Sequence, residues 1–247
     1  MHELFTELSA EKRLGILTAL SSAPMKFTEI SNKLSITSPE TSRHLTRLND
    51  AGLLEKRLDG TYQLTPYGRA VLSCLPTIDF ISREKTYFLK HDSSPLPLSL
   101  LRRIDELSEG RVINSFIEIL NTVDKEFNHI QEFFWFMSDD FPRYFLPKCE
   151  EQLERGVKYR VIFPRDFIPT LLSLKVKNLE KVELRSLDKV NMTIDVSDRF
   201  SALALPSTDG EIDHSSCIIG SDSRFRQWCG ELFNHYWEKA EKVDLGK

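Results

Sequence analysis

SPETSRHLTRLNDAGLLEKRLDGTYQLTPYG, residues 38–68, reads as a helix, a short hairpin and the start of a second helix. Ser38 is placed to cap the first helix, its hydroxyl accepting an orphan N–H of the first turn. Pro39 follows at the first helical position, where its fixed φ and missing N–H cost nothing. Thr41, Leu45 and Leu48 recur at i, i+4 and i+7, a spacing that turns them into a small core. Glu40, Arg43, Thr46, Arg47 and Asp50 then project from the opposite side. Gly52 suits the helix C-terminus. The runs Leu53–Leu58 and Thr61–Leu64 flank Asp59-Gly60, a pair that favours a tight hairpin turn. Thr65-Pro66 repeats the cap-then-proline signal at the start of the next helix.

Upstream, Ser9 can cap a helix carrying Leu14, Ile16, Leu17 and Leu20, and residues 28–34 offer a short helix with Ile30 and Leu34 at i, i+4. The tight connection Ser35-Ile36-Thr37 leads into the helix at Ser38. This order is that of a winged helix-turn-helix over residues 1–70. Guanidinium groups pair bidentately with guanine or hold phosphate, so Arg43 and Arg47 are the side chains to place against double-stranded DNA. The candidate DNA-contacting set is Ser38, Glu40, Thr41, Ser42, Arg43, His44, Thr46 and Arg47 on the helix, with Lys56, Arg57 and Thr61 from the hairpin. The same architecture can instead dock a partner protein.

The segment RHLTRLNDAGLLEKRLDGTYQLTPYGRAVL resembles the winged-helix domain of ArsR-like and MarR-like regulators. GEIDHSSCIIGSDSRFRQWCGELFNHYWEKA, with ERGVKYRVIFP before it, resembles more narrowly the archaeal methanogenesis regulatory family. The resemblance implies a transcription regulator whose C-terminal domain senses an effector. A carbon-metabolic or methanogenic regulon would be analogy alone.

With 247 residues and a formal charge of −4, the chain has the length of two ordinary domains. It has no apolar run long enough to cross a bilayer, and Glu3, Glu7 and Glu11 interrupt any leader, so a cytoplasmic protein is expected. Residues 1–70 hold nine Lys and Arg against eight Asp and Glu, a net of +1 that leaves −5 for the rest. Nucleic-acid readers are usually more basic. Two copies acting together would make up the affinity, which predicts a homodimer. Residues 71–99 are expected to be a helical linker, split near Pro76, in which Leu72, Leu75, Phe80, Ile81 and Phe88 pack either on a twin or on the chain's own second domain. Asp92–Pro97, rich in Ser and Pro, marks the boundary.

Residues 100–247 alternate helix and strand, as an α/β regulatory domain does. Residues 113–134 read as one long amphipathic helix or two, and residues 225–243 as a last helix. Strands are expected at 133–137, 157–163, 182–185, 192–196, 200–205 and 216–219. Ile218–Asp222 resembles the strand and Gly-Ser turn of phospholipase D-like folds, but the strand at 199–203 lacks the His-x-Lys pair of those enzymes. The nucleophile is therefore missing, and a phosphodiesterase is the least favoured alternative, so no enzyme is expected. What remains is a ligand pocket drawing on Arg160, Asp195, Asp198, Arg199, Asp213 and Ser221, with the amides after Gly220 open to an anion, or else a partner-protein surface. Cys74, Cys149, Cys217 and Cys229 are scattered, and neither they nor the six histidines show metal-ligand spacing. No metal and no cofactor are predicted, while Cys74 keeps a thiol switch open.

Overall fold

Helix, hairpin and helix succeed one another over residues 38–73 in the computed structural model, which describes residues 2–244. The chain divides into two units, Met1–Ile78 and Asp79–Lys247. The first contains α1 (His2–Leu8), α2 (Glu11–Ser22), β1 (Met25–Lys26), α3 (Phe27–Leu34), α4 (Ser38–Asp50), β2 (Leu54–Lys56), β3 (Thr61–Leu64) and α5 (Pro66–Ser73). Its three strands form an antiparallel sheet in the order β1-β3-β2, and the hairpin turns at Gly60 with φ of 81°. Leu45 and Leu48 of α4 are buried with Ile16, Leu17, Ile30 and Leu53 in one apolar cluster.

The cap of α4 is Thr37, one residue earlier than Ser38. The Thr37 Oγ1 accepts the Glu40 N–H at 3.4 Å, and the Glu40 carboxylate accepts the Thr37 N–H at 3.0 Å and its hydroxyl at 2.8 Å. That reciprocal box needs a Glu or Gln three residues after the cap. Thr37 has Glu40 at that distance, whereas Ser38 has Thr41, so the chain enters the helix one residue sooner.

The second unit begins within α6 (Leu75–Arg83), and continues through α7 (Lys85–Phe88), α8 (Leu98–Leu101), β4 (Arg111–Ile113), α9 (Phe116–Phe127), β5 (Phe133–Met137), α10 (Leu146–Glu154), β6 (Lys158–Pro164), α11 (Ile168–Ser173), β7 (Val182–Leu187), β8 (Thr193–Ser197), β9 (Ser201–Ala204), β10 (Cys217–Gly220), α12 (Ser223–Trp237) and β11 (Glu241–Lys242). Its eight strands run in the order β11-β7-β6-β5-β8-β9-β10-β4, parallel between β5, β6 and β7 and antiparallel elsewhere. β8 and β9 are buried on both faces, because each face carries its own apolar layer. Ile194, Val196 and Leu203 pack with Trp228, Leu232 and Phe233 of α12, while Phe134, Phe136 and Ala202 pack with Val123 and Phe127 of α9.

Several expectations are corrected here. The division lies at residue 78 rather than in the Ser-Pro stretch, because Phe80, Tyr87, Leu96 and Leu100 are buried in the same cluster as Trp228. The Trp228 Nε1–H donates to the Leu100 carbonyl at 3.0 Å and the Leu205 N–H donates to the Tyr87 hydroxyl at 3.1 Å, which ties residues 87–100 to the second unit. Phe80 is thus buried in the chain's own core, and Ile81 and Phe88 are partly buried against it. Residues 111–113 form an edge strand against β10, and α9 starts only after the Ser115 cap. The last helix stops at Trp237, and Glu241–Lys242 returns to the sheet edge.

The phospholipase D-like scaffold is not supported. Gly220 is explained by packing, since a Cβ there would lie 2.6 Å from the Phe225 ring. The amides behind it are not open to an anion, because the Asp222 carboxylate already accepts the N–H groups of Arg224 and Phe225 at 3.0 and 3.1 Å. Among the described residues no helix is long and apolar enough to cross a membrane.

Candidate functional site

Two places in the chain carry unassigned chemistry, one in each unit. In the first, Ser38, Glu40, Ser42, Arg43, Thr46 and Arg47 are exposed along α4 beside the hairpin. Thr41 is fully buried and its hydroxyl donates to the Thr37 carbonyl, so it leaves the contacting set. The Glu40 carboxylate is spent on the cap, and its hydrogen bonds from Thr37 hold it below the usual carboxylate range. His44 is half-buried with Nδ1 unpartnered, and burial, with Arg43 nearby, pushes its pKa down toward the neutral form.

Arg43 makes no hydrogen bond or ion pair among the described residues, whereas Arg47 is tied down. Its guanidinium donates to both oxygens of Glu7 on α1, at 3.2 and 2.5 Å, although its side chain remains 46% exposed. Glu7 is buried and also faces Arg13 at 2.8 Å; the Arg47 hydrogen bond holds its carboxyl low despite burial. Glu7 went unrecognised in the sequence because nothing local pairs position 7 with position 47. On the hairpin, Lys56 lies over the Tyr62 ring at 5.7 Å and Arg57 is exposed. Thr61 donates its N–H and hydroxyl to Asp59 at 3.0 and 2.6 Å, closing the turn. Of the expected contacting set, the basic groups left exposed are Arg43, Lys56 and Arg57, with Arg47 partly neutralised by Glu7.

In the second unit, a cavity of about 330 Å³ lies between the sheet and α9. Its floor is a row set by strand register, Phe136 on β5 beside Asp195 on β8 beside Ala202 on β9. The next row, Ser138, Thr193, Ala204 and Cys217, is closed by a 2.8 Å hydrogen bond between the Ser138 and Thr193 hydroxyls. Two alanines where larger side chains would fill the layer leave the space open. Phe116, Ile119, Leu120 and Val123 of α9 roof it, and Asp140, Phe141 and His214 line its flank.

Asp195 is 7% exposed, and its Oδ1 is sealed from the surface with no hydrogen-bond partner. Burial pushes its carboxyl up to about 7. Cys217 beside it is pushed up to about 12 by burial and by the Asp195 charge, so its thiol stays protonated. At the flank, His214 Nε2 lies 3.0 Å from Asp139 Oδ1. Burial raises the Asp139 carboxyl, but the hydrogen bond and charge of His214, with the backbone and Ser138 hydrogen bonds, together outweigh it, and the bond to Asp139 raises His214. When His214 is protonated, Asp139 offsets its charge.

The six expected ligand residues are not gathered in one place; of them, Asp195 alone lines this cavity. Arg160 lies on the other face, its guanidinium 5.4 Å from the Trp135 and Trp237 ring centres and 3.3 Å from Glu183. Asp198 accepts the N–H groups of Gln131 and Glu132, and Arg199 donates to the His129 carbonyl and to Gln131. Asp213 is held by His91 at 3.0 Å and by Ser215, and Ser221 sits in the turn before α12. The Asp198, Arg199 and Asp213 contacts hold turns, whereas Arg160 makes a cross-strand pair on the opposite face. The residues that line the cavity went unlisted because Phe116, Phe136 and His214 are far apart in sequence and meet only through register.

A model of the bacterial arsR-family regulatory protein matches residues 10–56, and a model of the middle domain of the methanogenesis regulatory protein FilR1 matches residues 111–239, just over half of the chain. A Pyrococcus furiosus protein described as an HTH-type transcriptional regulator, TrmBL2, is 32% identical over 95 residues, 37% of this chain and 36% of its own length. The methanogenesis regulatory protein FilR1 of Methanothrix harundinacea is 22% identical over 260 residues, 96% of this chain and 57% of its own. The chain thus spans between about a third and just over half of the curated relatives it matches. A solved structure of TrmBL2, described as an archaeal chromatin protein with a novel mode of DNA binding, covers 95% of this chain and 94% of its own at 19% identity and a TM-score of 0.47.

Proposed function

Because this chain belongs to the family of the FilR1 middle domain, here behind an arsR-type helix-turn-helix, we propose that it is a DNA-binding transcription regulator and not an enzyme. The observation that carries the reading is the outward face of α4, where Arg43 and Thr46 stand exposed beside a hairpin bearing Lys56 and Arg57. Arg43 and Thr46 enter the major groove and read base edges, and the hairpin lysine and arginine hold phosphate. Arg47 contributes from its pair with Glu7, as a positioned phosphate contact rather than a base reader.

The protein acts in the cytoplasm as a homodimer. Supporting the dimer is the charge of the reader, whose net of +1 gives a single copy little long-range attraction to phosphate. The second unit senses a small-molecule effector, a reading supported by the cavity at Asp195. Sensing becomes regulation when the effector binds two arrangements of the dimer with different affinity.

Mapping occupancy of the wild-type protein and of Arg43→Ala across its own genome tests this. Discrete sites that vanish in the variant are expected. Uniform background with both proteins would overturn the reading and favour docking of a partner protein on the winged helix, an alternative to which the near-neutral charge and the fully exposed Leu58 at the hairpin lend support.

A further inference from the structure

We propose that the cavity at Asp195 takes a small cationic amphiphile, a primary amine on an apolar body, with the ammonium seated on the Asp195 carboxylate. This deepens, and rests on, the reading of the second unit as an effector sensor. The cavity of about 330 Å³ sits at the small end of the range for small-molecule pockets. It is walled by aromatic and aliphatic side chains, so the body of the ligand must be apolar.

The head group is decided by charge. Among the described residues no Lys or Arg lines the cavity, while Asp195 and Asp140 both do. His214, which also lines it, is engaged by Asp139 outside it. An anionic ligand would therefore meet carboxylates without a compensating cation. An ammonium meets Phe134 and Phe136, whose ring faces attract cations, and then the Asp195 carboxylate through its other oxygen, since Oδ1 itself is sealed from the cavity.

Geometry sets the orientation. Asp195 lies in the floor at 7% exposure, whereas Phe116, 49% exposed, marks the open side. The ammonium therefore enters first and the apolar body follows, packing under α9. The fold has already stripped Asp195 of water, so the ligand meets a carboxylate with vacant acceptor sites and gains a charge-assisted hydrogen bond there.

The test is calorimetric titration of the full chain with hexylamine, hexan-1-ol and hexanoate, which share a body and differ in the head. The expected ranking places hexylamine about tenfold or more ahead of both others, the margin of a charged hydrogen bond. Asp195→Asn should bind hexylamine and hexanol alike, and Ala204→Leu, which fills the cavity, should bind none of the three. Tryptophan fluorescence checks that both variants fold, and the wild-type ranking decides even where one does not. Hexanoate equal to or tighter than hexylamine, an amine preference intact in Asp195→Asn, or no binding by the wild type would each overturn the proposal. DNA affinity measured with and without hexylamine separates the two readings. The ranking obtained with DNA affinity unmoved supports the amine pocket while refuting its role as sensor.

Discussion

Asp195→Asn should make the second unit much less sensitive to pH. Burial raises the Asp195 carboxyl from 3.8 to about 7 in the folded chain. At about 1.4 kcal/mol per tenfold change in acidity, the charged form costs the fold on the order of 4 kcal/mol. Between these two pKa values the folded state holds a proton that the unfolded state has released, so stability falls as pH rises and the loss is complete above about 7. Integrated from about pH 5 to about pH 8, the wild type loses roughly 2.5 kcal/mol through this one group. The asparagine cannot ionise and lacks that loss. Urea unfolding followed by tryptophan fluorescence suits the measurement, because Trp135, Trp228 and Trp237 all lie in the second unit and report its unfolding alone. The stability difference between variant and wild type should grow by roughly 2.5 kcal/mol in the variant's favour across that range. Other titrating groups are common to both proteins and largely cancel. Parallel pH profiles would refute the reasoning, since they would mean that Asp195 finds a partner or water that neutralises its burial.

Glu7→Gln should destabilise the first unit by about 2 kcal/mol, because Arg13 loses its buried counter-charge and Arg47 its anchor. Circular dichroism during urea unfolding reads this. The Arg47 hydrogen bond holds the Glu7 carboxyl low, so its contribution is present above the unfolded value of 4.5 and fades as pH falls through the lower folded one. Glu7→Gln should accordingly remove part of the wild type's acid sensitivity. Thr37→Ala should cost about 1 kcal/mol by opening the cap of α4, whereas Ser38→Ala should cost only a few tenths, the reverse of what a Ser38 cap requires.

From residue 28 onward the first unit was readable from the sequence, because its signals are local. α1 and β1 were not, and Ser9, expected to cap the next helix, instead donates to the Thr6 carbonyl while Ala10 stands at the cap. Cap, proline, the Thr41–Leu45–Leu48 stripe and Asp59-Gly60 each lie within a few residues of what they determine, and the error at Ser38 was a single step between two competent caps. The six inner strands of the second unit were readable, since apolar runs such as Val157–Phe163 declare themselves, but its edge strands β4 and β11 and its boundary were not. Phe80, Ile81 and Phe88 could be read as packing on a twin or on the second domain, because an apolar helix face does not say which surface it will meet, and Trp228 lies far along the chain. The cavity was the least legible part. Its floor exists because β5, β8 and β9 bring Phe136, Asp195 and Ala202 into one row. Asp195, like Arg160, Asp198, Arg199 and Asp213, reads from the sequence as standing at a strand end or turn; it lies within β8 and lines the cavity, whereas Arg160 stacks on Trp135 and Trp237 and the others hold turns.

The most direct test of the central claim is the salt dependence of affinity for a duplex containing an occupied site, measured by fluorescence anisotropy for the wild type, Arg43→Ala and Arg57→Ala. The account predicts a steep log–log decline for the wild type and a slope shallower by about one for Arg57→Ala, with a uniform loss across sequences. Arg43→Ala should lose about 1–3 kcal/mol on the specific duplex and much less on a scrambled one. Equal affinities of wild type and Arg43→Ala on the specific duplex, with a flat response to salt, would contradict it and remove α4 from the reading surface.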